Sequence, residues 1–239
     1  PGYYLVLDMQ FGPNTFSDLQ FGDLYGTASS QYGAYLPVKL TLASVSQFLS
    51  VETVQKGLLF IILLLCGAGM HFSLPRAHGG SRYFAGLFYM LNPFVFVRFL
   101  AGHWSLLLSY AIWPLAIRSF LDFLDRPNDW RALAVAALLT SMVAVSSHGV
   151  FMLLLAYLVI FAIRVAQMVL RCVKENPWPM LAAMFGRTIL LGIVFILLNL
   201  YWLVPTCMLA QGAYNPSPPE ASLMQFGSQA KDMPVQLAV

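Results

Sequence analysis

The sequence predicts an all-α fold: a polytopic bundle of transmembrane helices. Three observations carry this. Of 239 residues, 59% are hydrophobic and only 10% charged, where a soluble domain carries about 25% charge. Several apolar runs approach the roughly 20 residues that a helix needs to cross a bilayer. The basic residues lie scattered between those runs and form no patch, and the net charge is only +3. The expected environment is therefore a lipid bilayer, with no nucleic acid as partner.

Residues 1–54 precede the first long apolar run. They open with "PGYYLVLDMQFGPN", and "GPN" and "FGDLYG" are turn signals. Within "PVKLTLASVSQFLS", residues 37–50, Leu42, Val45 and Leu49 recur at helical spacing, which predicts a short helix lying in the membrane interface. Ser50 is placed to cap the next helix, with Glu52 in its first turn. An ordered loop this long before a span points to function.

Residues 55–206 hold about six spans, at 55–75, 82–100, 103–122, 131–147, 149–170 and 186–206. The second is interrupted by Asn92-Pro93, which predicts a kink or a pair of short helices. Pro205 is expected to stop or kink the last span. Residues 207–239 are expected to begin an outer loop or domain. The opening at Pro1 reads as mid-loop, without an initiator Met or a signal peptide, so a longer protein with a further helix upstream is expected. Cys66, Cys172 and Cys207 show no metal or redox spacing.

The connecting segments divide by charge. One set, 76–82, 118–131 and 164–187, holds nine Lys or Arg residues, and the other holds Lys39, Lys56, Arg98 and Lys231. The positive-inside rule makes the first set cytoplasmic. Asp8, Asp18, Asp23, Arg98, His103 and His148 then gather on the outer face.

Each of these residues has two readings. Asp8 is either a solvated loop acid or cap, or a catalytic or metal-binding carboxylate. Asp18 and Asp23 suit turns. Arg98 either snorkels to the membrane surface or offers a fork of donors to a phosphate. His103 either ends a helix or binds phosphate or hydroxyl. His148, in "SSHG", is a structural group or a ligand, among small residues that let helices approach closely. Motifs for nucleotide binding, zinc proteolysis or serine hydrolysis are absent from the sequence.

"PGYYLVLDMQFGPN", "NPFVFVRFLAGHWSLLLSYA", "SSHG" and "NLYWLVP" together resemble multi-pass glycosyltransferases of the GT-C class. The likeness is to the membrane part of actinobacterial arabinofuranosyltransferases and related archaeal and bacterial proteins. It covers most of residues 1–206, and "NPF…R…AG…W" is its most specific part. The resemblance implies a GT-C-like fold in the plasma membrane. It implies transfer of a sugar from a polyprenyl-phosphate-linked donor to a glycan or glycolipid acceptor on the non-cytoplasmic face. By this match Asp8 is the catalytic residue, and Arg98, His103 and His148 bind substrate. A divalent metal, Mg or Mn, is the one cofactor it raises, although the first loop has no DxD or ExD pair. The competing expectations are a multi-pass transporter or lipid-handling protein, with polar mid-membrane lining and an internal repeat, and a non-catalytic scaffold.

Overall fold

A computed structural model of the chain describes residues 2–3, 9, 11, 33–34, 36–76, 79–126, 128–171 and 178–212. Among these residues the fold is built of α-helices, with no strand. In chain order they are α1 (Leu36–Ser46), α2 (Val51–Ser73), α3 (Ser81–Met90), α4 (Pro93–Leu100), α5 (Trp104–Asp125), α6 (Trp130–Val143), α7 (Ser147–Arg171) and α8 (Trp178–Gly212).

Five helical segments are long and apolar enough to cross a membrane: α2, α3 together with α4, α5, α7 and α8. This chain is a membrane protein. The sixth expected span, 131–147, is shorter than predicted. It forms α6, whose 14 residues reach about 21 Å at 1.5 Å per residue, against about 30 Å of hydrocarbon. The apolar run continues beyond the helix end, but the chain turns back at 144–146.

Local chemistry explains three of the helix starts. The Ser50 hydroxyl accepts from the Thr53 N–H at 3.3 Å and starts α2. The Asp129 carboxylate accepts from the N–H groups of Arg131 and Ala132 and starts α6. Asn92 caps α4, its Oδ1 accepting from the Val95 N–H at 3.1 Å, with Pro93 in the first turn. The second span is thus two helices, as the Asn-Pro pair dictates. By contrast, α8 runs through Pro205 to Gly212. A proline forfeits one backbone bond there, and membrane helices tolerate that loss. Of the apolar stripe expected in α1, Leu42 packs on the core, but Val45 is exposed and Leu49 lies beyond the helix end.

Inter-helix bonds set the layout. The Ser109 hydroxyl donates to the Val143 carbonyl, the Tyr157 hydroxyl donates to the Ala116 carbonyl at 3.0 Å, and Arg164 meets Asp125 at 2.9 Å. So α7 runs parallel to α5 and packs directly on it, and α6 runs antiparallel to both. Gly149 packs on Ser109 so closely that an added Cβ would lie 2.6 Å from the Ser109 Cβ, the close approach expected of "SSHG". Two apolar clusters fill the bundle. One joins Met9, Phe11, Val54, Leu58, Val95 and Leu107; the other joins Phe120, Phe123, Ala136, Ala137, Leu153 and Leu191.

Candidate functional site

The site forms where α4 turns back into α5. Gly102 has φ +75°, a left-handed conformation that favours glycine. It closes α4 with two reversed bonds. The Gly102 N–H donates to the Phe99 carbonyl at 3.1 Å, and the His103 N–H donates to the Arg98 carbonyl at 3.0 Å. This is the Schellman arrangement, in which the residue after the glycine folds back over the residue five earlier. The backbones of Arg98 and His103 are therefore bonded, and their side chains follow: Arg98 Nη1 lies 3.1 Å from His103 Nδ1.

A guanidinium only donates, so His103 Nδ1 accepts and the ring proton sits on Nε2. The other face of Arg98 meets the Phe94 ring, 5.6 Å from its centroid, a cation–π distance. Among the described residues no carboxylate pairs with Arg98. A partly buried cation held by an imidazole nitrogen and a phenyl face keeps its attraction for an anion. Its planar fork suits a phosphate.

The first segment of the chain is seated beside this turn. The Gly2 N–H donates to Glu52 Oε1 at 2.8 Å, and Lys56 Nζ holds the same oxygen at 2.5 Å. Met9 is 0% exposed and Phe11 6%. Phe11 stands edge-on to Trp104, the neighbour of His103, with centroids 6.1 Å apart. Asp8 lies outside the described residues, as do Asp18 and Asp23.

The structure brings Arg98 and His103 together, and no contact among the described residues joins His148 to them. His148 is exposed on the first turn of α7, with no hydrogen bond among the described residues. Its neighbour Gly149 packs on Ser109, about 9 Å of helix rise beyond His103. His103 closes α4 through its backbone N–H and stands just before α5. Sequence reading missed Gly102, although a glycine just past a helix end is the signal for this cap. It also missed Phe94 and the bond from Gly2 to Glu52, and it read Tyr110 as a packing aromatic without its hydrogen bonds. No group of three His, Cys, Asp or Glu side chains among the described residues converges to hold a metal ion.

No protein-family model, curated protein or solved structure matches this chain. The class that fold and site define is a helical membrane protein with an arginine–histidine pair at one end of its bundle.

Proposed function

We propose that this chain is a membrane glycosyltransferase of the GT-C type. It moves a sugar from a polyprenyl-phosphate donor to a glycan or glycolipid acceptor on the non-cytoplasmic face of the plasma membrane. The observation that carries the reading is the Arg98–His103 pair at the α4–α5 turn, with Phe11 of the first segment packed on the adjacent Trp104. In this reading α6 is the sixth span, shorter than the other five.

The roles follow from chemistry. Asp8 accepts the proton of the acceptor hydroxyl as its oxygen bonds to the anomeric carbon. The donor's glycosidic bond breaks, and polyprenyl phosphate leaves with the electron pair. Arg98 binds that phosphate and stabilises its growing charge. His103 orients the guanidinium.

The transporter or lipid-handling reading draws no comparable support. Buried hydroxyls of Ser109, Ser119 and Thr140 bond to backbone carbonyls, and Asn199 bonds to Ser141 and Trp202. These groups find their partners within their own helix or across one helix contact, which leaves none of them to line a path. The direct test is an assay of sugar transfer from polyprenyl-phosphate-linked donors in membranes containing the full-length protein. Transfer onto an acceptor supplied to the outer face is expected. Its absence with every donor would overturn the reading.

A further inference from the structure

We infer that Tyr110 and Asn92 are positioning residues for the Arg98 guanidinium. The inference deepens the lipid-phosphate reading above and rests on it for its kinetic consequence only. It starts from a weakness of α4. That helix has 8 residues and one buried side chain, Val95 at 3% exposure. Phe96, Val97 and Leu100 are each more than half exposed. A helix so short does not hold itself in place, and one buried valine does not fix its angle. Its orientation is set at its ends.

The upper end is the Gly102 turn with its Arg98–His103 bond. The lower end is a polar knot at the α3–α4 break. Asn92 Nδ2 donates to the Tyr110 hydroxyl at 2.8 Å and to the Tyr89 carbonyl at 2.7 Å. The Tyr89 hydroxyl in turn donates to the Tyr110 carbonyl at 2.8 Å. Pro114, inside α5, has no N–H for the carbonyl four residues earlier, and that carbonyl belongs to Tyr110. Tyr89 supplies the missing donor. The two tyrosine rings also stack, 4.1 Å apart and 4° from parallel.

Asn92–Tyr110 and Arg98–His103 are thus two rungs of one helical hairpin. Asn92 to Arg98 is six residues, and His103 to Tyr110 is seven, so the arms have nearly equal rise. Between the rungs runs a column of ring contacts. Tyr110 meets Phe94 at 5.1 Å, and Phe94 underlies Arg98. Tyr110, locked from below by Tyr89 and Pro114, fixes Phe94 and the α4 axis, and through them the guanidinium.

The test uses the full-length protein in lipid nanodiscs, with Cys66, Cys172 and Cys207 replaced. Spin labels are placed at the exposed positions Leu100 and Phe151. Tyr110→Phe and Asn92→Ala should broaden or shift the label-to-label distance, with the larger change in Asn92→Ala because it also removes the cap. Tyr157→Phe is the control: it removes a buried hydroxyl bonded to the same helix α5 but remote from α4, and should leave the distance unchanged. Under the glycosyltransferase reading, Tyr110→Phe should raise KM for the lipid-phosphate donor about tenfold, the scale of one hydrogen bond, without changing KM for the acceptor. Distances unaltered in both variants, or moved equally by Tyr157→Phe, would overturn the inference. A shifted distance in a protein that transfers no sugar would uphold it and sink the glycosyltransferase reading alone.

Discussion

At the end of the bundle where α5 passes into α6, arginines meet carboxylates or helix carbonyls. Arg118 lies 2.9 Å from Asp122, and Arg164 lies 2.9 Å from Asp125. Arg187 donates to the Phe123 carbonyl in the last turn of α5, and Arg82 donates to the His71 carbonyl in the last turn of α2. Those two guanidinia satisfy helix C-termini, where unpaired carbonyls and the helix dipole favour a cation. At the opposite end Arg98 also stands in the last turn of a helix. Its partners there are a histidine nitrogen and a phenyl ring, because Gly102 has closed the helix with backbone bonds alone. One end uses its arginines to close the fold. The other closes its helix with a glycine, and its arginine lies against a histidine and a phenyl ring instead.

Substitutions at the two ends should therefore separate activity from stability. The largest effect is expected at Asp8. Asp8→Asn preserves shape and removes the proton acceptor, so transfer should fall by about 10²–10⁴-fold, the usual contribution of general-base catalysis. Turnover in membranes measures this, with expression level as the folding control. Near-normal transfer would remove Asp8 from the mechanism.

Next in size is Gly102→Ala. A side chain at φ +75° costs about 1–2 kcal/mol, and relief of that strain pulls His103 away from Arg98. Affinity for the lipid-phosphate donor should drop about tenfold or more, by the same energy scale. An unchanged donor KM would show that the turn does not organise the site.

At the opposite end, Arg187→Met should lower stability by about 1–3 kcal/mol, since it leaves the Phe123 carbonyl without its charged donor. Donor KM should not move. Thermal unfolding in detergent measures the first effect and steady-state kinetics the second. The smallest effect is expected from Arg118→Ala. Its pair with Asp122 is an exposed i,i+4 contact, with the arginine 43% exposed, and such pairs contribute about 0.3–0.5 kcal/mol. A large loss of transfer from either variant would erase the distinction between the ends.

Much of this was legible in the sequence, for identifiable reasons. Asn92-Pro93 had to break the second span, because proline lacks the donor and restricts the residue before it. Ser50 and the small "SSHG" residues announced a cap and a close helix contact, and both are present. The length of α6 was not legible. "RALAVAALLTSMVAVSS" is apolar past Val143 and contains no glycine or proline, so composition alone gave no stop. The turn at 144–146 is a tertiary event: Ala144, Val145 and Ser146 are all buried. The helix α8 starts at Trp178, ahead of the span expected at 186–206. Pro179 stands in the first helical turn, where its missing N–H costs nothing. At the site, spacing marked Arg98 and His103, but pairing them required the left-handed glycine between.

The central claim is that this chain binds a lipid-borne phosphate through Arg98 at one end of the bundle while Arg187 only closes the other. The most direct measurement is sugar transfer from a polyprenyl-phosphate donor by Arg98→Ala and Arg187→Ala proteins, each normalised to folded protein in the membrane. Loss of a donor that stabilises charge in the transition state costs about 10²–10³-fold, so Arg98→Ala should lose transfer to that extent and Arg187→Ala should retain it. Equal transfer by the two normalised variants would contradict the account.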